Sequence, residues 1–174
     1  RLFCEPRAFC HLARVLDAAE TAFDMIRCND SLAVNICSVG LDARIGTDVA
    51  NYKRLPLLQG FWAYAASAVV NVVRGVSQPL RVTLCGQTRD EEMTMVCVCN
   101  GRYYGGGFYA VPEADPRDGL LDVLLVKKIT RAQVPGLIGK YKAGRYKELP
   151  EYITHYRTDR LEIHSPTPTA VNLD

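Results

Sequence analysis

Met93-Thr94-Met95-Val96-Cys97-Val98-Cys99-Asn100-Gly101-Arg102-Tyr103-Tyr104-Gly105-Gly106-Gly107 is the stretch on which the fold turns. Its first seven residues form a short apolar run closed by Asn-Gly, the pattern of a buried strand. Three consecutive glycines then allow left-handed or tightly turned backbone, and they let a ligand or a second chain segment come close. A glycine run also makes a plain turn or bulge, so taken alone it leaves both readings open.

Working outward, Leu80–Leu84 pairs with Met93–Cys99 as a hairpin joined by the polar loop Gln87–Glu92. Phe108–Val111 and Leu120–Leu125 read as two more strands, and Tyr152–Arg157, Arg160–His164 and Thr169–Leu173 as three at the end. Towards the start, Phe9, Leu12, Leu16, Ala19 and Phe23 recur at helical spacing and predict an amphipathic helix over 7–22. Phe23–Cys28 and Ser31–Val39 follow as strands, the second with Leu32, Val34 and Ile36 on one face. Gly40 ends that strand, and a short helix is expected over Asp48–Arg54. Leu57–Val73 is an apolar helix that Pro56 introduces and that ends near Gly75. Residues 130–143 form another helix, with Thr130 as N-cap, Pro135 in its early turns, and Val134, Leu137, Ile138 and Tyr141 on its inner face. Short antiparallel-looking strands with helices grouped between them make the fold class α+β, a mostly antiparallel β-sandwich with a few helices.

The totals exclude more than they assign. Among 174 residues, 48% are hydrophobic and 23% charged, the balance of an ordinary globular chain. A net charge of +2 is too mild for a nucleic-acid binder, but it leaves room for a basic patch on anionic lipid. The seven cysteines include no C-x-x-C pair and no histidine at zinc spacing. Most lie in apolar runs and read as small buried hydrophobes of a reducing, cytoplasmic compartment. Glu5 and Pro6 rule out a signal peptide's apolar core in Arg1–Cys10, and Gln59, Ser67 and Asn71 interrupt the one long apolar stretch.

A second informative stretch is Val111-Pro112-Glu113-Ala114-Asp115-Pro116-Arg117-Asp118-Gly119-Leu120-Leu121-Asp122-Val123. Asp118-Gly119 is a turn in front of a strand. Such a turn can also present the Asp118 carboxylate beside backbone carbonyls, the oxygen mix that hard divalent cations take.

In their order and spacing, the two stretches resemble the diacylglycerol kinase catalytic family, which spans bacterial lipid kinases, sphingosine kinases and ceramide kinases. The shared pattern is N-G-x-x-x-G-G-G…P-x-A-x-x-x-D-G-x-L-D-V, with Asn35…Gly40-Leu41-Asp42-Ala43, Tyr52-Lys53-Arg54-Leu55, Gly144-Arg145-Tyr146 and a terminal Asn172-Leu173-Asp174 also matching. The resemblance covers essentially the whole chain. It implies the C-terminal domain of a two-domain kinase similar to NAD kinases. Residues 1–22 would be a lead-in helix from a missing N-terminal nucleotide-binding domain, with Arg1 ending that domain's last motif. Residues 23–174 would be the β-sandwich domain, stopping before the glutamate of a final D-G-E that serves as base. The fragment alone is therefore expected to be inactive.

The chemistry implied is transfer of the γ-phosphate of ATP to a lipid hydroxyl, which depends on positioning and electrostatics. By the resemblance, Asp24 belongs to an acidic, Mg²⁺-linked network, Asp42 orients the substrate hydroxyl or caps a helix, and Asp174 opens the D-G-E. Asp118 is the side-chain ligand of a Mg²⁺ ion, with the carbonyls of Asp115 and Leu120. Lys53 and Arg54 lie towards the ATP phosphates, and Asn100 fixes the Gly105, Gly106, Gly107 loop through hydrogen bonds to its backbone. Cys85-Gly86-Gln87 stands where many members carry D-G, and His11, His155 and His164 match no family motif and read as structural. Expected partners are the lipid substrate, a membrane surface touched peripherally and the N-terminal domain, with a homodimer left open and no nucleic acid. Two other readings stay open: a non-catalytic lipid-binding or assembly module of the same fold, and a relative of NAD kinases.

Overall fold

The computed structural model of the chain describes residues 10–53, 61–105 and 107–174. Along it run α1 (Leu12–Leu16), β1 (Ile26–Cys28), β2 (Ser31–Ala33), β3 (Ile36–Gly40), α2 (Leu41–Lys53), α3 (Phe61–Arg74), β4 (Gln78–Leu84), β5 (Gln87–Cys99), β6 (Leu121–Lys127), α4 (Val134–Lys142), β7 (Ile153–Thr158), β8 (Leu161–His164) and β9 (Val171–Leu173). The fold is α+β, mostly antiparallel and sandwich-like.

β5 is the spine. Its second half pairs with β3 on one edge and β6 on the other, in the order β7-β6-β5-β3-β9. Its first half pairs with β4, which pairs in turn with β8. Met95, Cys97 and Cys99 join Leu124 and Val126 in one buried cluster, while Val96 and Val98 join Val123 and Leu125 in another. Both faces are therefore covered, which is why these strands read as continuous apolar runs rather than alternating ones. Leu80, Val82 and Leu84 of β4 belong to the second cluster, so the sheet turns back over itself along β5. The turning point is a register shift between Met93 and Met95. There the buried Thr94 hydroxyl donates to Lys127 O at 2.9 Å and accepts the Ile129 N–H at 3.2 Å.

The structure departs from the sequence expectations at several elements. Gln87–Glu92 is strand, not loop: the β4–β5 connection is the two-residue turn Cys85-Gly86, with φ of 50° and 71°, the primed geometry that matches strand twist. This half of β5 is polar because it faces solvent. Ser31–Val39 breaks at Val34-Asn35, and Leu32 is exposed while Ile36 is buried, so the expected common face does not form. β1 takes up only the end of Phe23–Cys28. Phe108–Val111 gives one bridge, Phe108 to Tyr104, with stacked rings 5.4 Å apart. Of the helix expected over 7–22, residues 7–9 lie outside the described residues and the rest contributes only α1. Its Leu12 and Leu16 stay exposed, and without packing an amphipathic segment gains little helix. α4 begins at Val134, and Thr130 caps nothing: its N–H and hydroxyl both donate to Gln133 Oε1.

α2, α3 and α4 pack on the first cluster's face. α2 starts directly after β3, seven residues before the expected helix. Gly40 makes that turn possible: its φ is +102°, and a Cβ there would lie 2.6 Å from Thr94 O and 2.9 Å from Met95 Cα. The described part of the apolar Leu57–Val73 segment is α3, and its polar interruptions are its contacts with α2. Ser67 donates to Ile45 O at 2.9 Å, and Asn71 to Asp48 at 3.0 Å. Since both close approach and φ exclude a side chain, Gly40→Ala is expected to cost about 2–5 kcal/mol, read as a lowered urea midpoint with an unchanged slope.

Candidate functional site

The bend between β2 and β3 is held by side chains distant in sequence. The Asp174 carboxylate accepts the Asn35 and Ile36 N–H groups at 2.8 and 2.9 Å, and also that of Val34. Asn100, buried at the end of β5, donates its amide to Asp24 O and Val34 O, each at 2.8 Å. Its own N–H and that of Gly101 reach Asn35 O, and Asn35 donates its amide to Tyr103 O. Asn100 therefore ties the two ends of the β1–β2 hairpin to β5. The expected bonds from its side chain to the glycine loop are not what holds it. The loop itself turns through positive φ at Gly105 and Gly107, closed by Gly107 N–H to Gly105 O at 2.7 Å. Gly106 lies outside the described residues.

The Asp118-Gly119 turn docks on the same end of the sheet. Asp24 donates its N–H to Pro116 O at 2.7 Å and accepts the Gly119 N–H on its carboxylate at 2.8 Å. Asp118 accepts the Leu120 N–H at 2.9 Å on one oxygen and the Arg157 guanidinium on the other. Arg157 also stands 3.7 Å from the fully buried Asp122, whose nearer partner is His155 at 2.6 Å. Beyond His155 come Tyr146 at 3.2 Å and, from the Tyr146 hydroxyl, Glu113 at 3.0 Å. Burial pushes the Glu113 carboxyl up, but hydrogen bonds from Lys147, its own backbone and Tyr146 hold it below the usual range. His155, read from sequence as structural without partners, thus joins two acidic groups. Asp122, a lone carboxylate in an apolar run, was the signal that could have found this chain, because a buried charge demands partners. Arg157 carries no such mark.

These residues do not fit the expected magnesium site. Asp118, the one carboxylate that the resemblance gives that site, already meets the Arg157 guanidinium.

Asp24, Asn100, Asp118 and Asp174 are brought together; Asp42 is not with them. It follows the far end of β3, four residues along from Ile36, roughly 13 Å at strand rise. There it lines an apolar cavity of ≈ 90 Å³ among Leu41, Tyr64, Met95, Phe108, Leu137 and Tyr141, and among the described residues it is the one ionisable acid or base of the Asp, Glu, Lys and Arg kind in the lining. Burial pushes its carboxyl up, opposed by the Ser38 hydroxyl, which donates to it at 2.8 Å. Lys53 closes α2, while Arg1 and Arg54 lie outside the described residues. A carboxyl raised in the fold contributes stability below its unfolded pKa and loses it as pH rises through the folded value. Asp42→Asn is therefore expected to raise the urea midpoint at neutral pH and to flatten its change between acid and neutral pH.

Comparisons with known proteins fit this geometry. The model of the YegS C-terminal NAD kinase beta sandwich-like domain matches residues 35–174. A provisionally named lipid kinase of Staphylococcus carnosus is 21% identical over 170 residues, 97% of this chain and 55% of its own length. A YegS-like protein of Shewanella frigidimarina, also provisionally named a lipid kinase, is 25% identical over 87% of this chain and 48% of its own. The chain thus spans about half the length of the curated relatives it matches. Among solved structures, a provisionally named diacylglycerol kinase of Bacillus anthracis superposes with a TM-score of 0.62 at 22% identity, over 88% of this chain and 48% of that one. Another diacylglycerol kinase of the same organism gives 0.54 at 18% identity, over 88% and 46%. With the family model covering most of its length, the chain belongs to the YegS C-terminal NAD kinase beta sandwich-like domain family.

Proposed function

We propose that this chain is the lipid-side part of an ATP-dependent lipid kinase that transfers the γ-phosphate of ATP to the hydroxyl of diacylglycerol or a related lipid. The observation that carries the reading is the apolar cavity with the Asp42 carboxyl in its wall. An apolar cavity of this kind takes hydrocarbon, here the start of an acyl chain. One carboxylate at its edge accepts a hydrogen bond from the lipid hydroxyl and fixes the direction from which that oxygen attacks. The Gly105–Gly107 loop, with Lys53 and Arg54, would then serve ATP, as the family resemblance implies. Such transfer needs little covalent chemistry from the protein and much positioning.

Two variants test the division of labour in the protein that carries this chain at its full length. Asp42→Asn should lower kcat for lipid phosphorylation by about 10²-fold, within the usual range for a positioned acid–base group. Ala68→Leu, which narrows the cavity, should raise the KM for lipid about tenfold and leave that for ATP unchanged. The assay is transfer of label from ATP to a series of lipids. Lipid binding without transfer to any of them would leave a lipid-binding module in place of a kinase.

Contact with a lipid surface belongs to the same reading. No helix among the described residues is long and apolar enough to cross a membrane. However, α3 turns Tyr64 and Ala68 towards the cavity and leaves Trp62, Val69 and Val73 exposed along its other side. A helix that is apolar on both sides, one lining a lipid cavity, suits a protein that draws its substrate from a bilayer. Val69→Glu with Val73→Glu should weaken sedimentation with anionic vesicles about tenfold while the unfolding midpoint holds.

A further inference from the structure

The cation at the Asp118-Gly119 turn is part of the chain. β7 pairs with β6 so that Arg157 lies opposite Asp122, and from that register its guanidinium reaches both Asp122 and Asp118. Strand pairing sets the backbone position from which this exposed side chain reaches them. Asp118 has its other oxygen on the Leu120 N–H, and the adjoining Gly119 N–H is the donor that holds Asp24. Asp122 is fully buried and already bonded to His155 at 2.6 Å, and Arg157 at 3.7 Å adds a second partner of opposite charge. A divalent ion bound to Asp118 would have to sit against this guanidinium and would repel it from both carboxylates.

We propose that Arg157 takes the place that the family resemblance gives to a magnesium ion: it is the cation that holds the Asp118-Gly119 turn, and through that turn Asp24, so that the turn forms without a divalent metal. Asp118 and Asp122 lie on one strand and its lead-in turn, so one guanidinium between them neutralises part of their repulsion and fixes their spacing. Magnesium that travels with ATP is a separate matter, and the proposal stands or falls apart from the proposed kinase activity.

The test is thermal unfolding of the full chain in a chelator and in millimolar magnesium, with direct magnesium titration by calorimetry. The unsubstituted chain should show midpoints within about 1 °C of each other and no stoichiometric magnesium site. Arg157→Gln should lower the midpoint by about 4 °C or more and make it respond to magnesium, because Asp118 then loses its guanidinium and Asp122 keeps His155 alone. Arg157→Lys should keep most of the stability and stay insensitive. A saturable rise with magnesium in the unsubstituted chain, lost in Asp118→Asn, would overturn the proposal. So would an Arg157→Gln midpoint equal to that of the unsubstituted chain. If Arg157→Gln does not fold, calorimetry on the unsubstituted chain and Asp118→Asn decides: a stoichiometric site lost on substitution overturns the proposal, and none in either supports it.

Discussion

β5 pairs along both edges and is covered on both faces from Met95 to Cys99, and the positions of the other elements follow from that. Every main-chain group in this stretch has to find its partner on β3 or β6, since no water reaches it. A slip of one residue would turn Val96 and Val98 towards the helices and Cys97 and Cys99 away from them. The register is therefore strongly specified, and it sets where β3 begins, where β6 begins and which residues flank each end. The shift at Thr94 lets one strand belong to two layers.

One consequence is a molecule with two different ends. At the Ile36 end of β3, polar groups hold backbone: carboxylates of Asp174, Asp24 and Asp118 each accept main-chain N–H groups, and Asn100 fills two carbonyls. At the Gly40 end, Asp42 has only the Ser38 hydroxyl as a hydrogen-bond partner among the described residues and faces hydrocarbon. The first arrangement satisfies its charges internally and gives rigidity. The second leaves a carboxyl under-solvated, which is unfavourable for folding. Identical side chains thus carry different duties because their surroundings differ.

Much of this was legible in the sequence, and the gaps have physical causes. The apolar runs of β5 and β6, the apolar helix α3 and the Asp118-Gly119 turn could be read directly, because burial and turn chemistry leave local marks. The first half of β5 could not, since Gln87–Glu92 faces solvent and has the composition of a loop. α2 was expected too late because Gly40 reads as a terminator, whereas here it permits an immediate change from strand to helix. Phe108–Val111 has strand composition but, among the described residues, finds no neighbouring strand to pair with beyond one bridge. The pairing of Arg157 with Asp118 and Asp122 depends on the register of strands far apart in sequence, which no local pattern reports. The same holds for Asn100, whose partners at Asp24 and Val34 are set by where the hairpin docks.

The cysteines turn this architecture into something that can be read chemically. Cys10 and Cys85 are exposed, whereas Cys97 and Cys99 are fully enclosed in the spine and Cys37 nearly so beside it. Burial pushes the thiols of Cys97 and Cys99 far up and that of Cys37 to about 12, so in the folded chain they lack both access and the reactive thiolate. An alkylating reagent should modify Cys10 and Cys85 at once and reach Cys37, Cys97 and Cys99 only when β5 separates from β3 or β6. The chain thus carries its own clock for the opening of its central strand, distinct from the fraying of its surface.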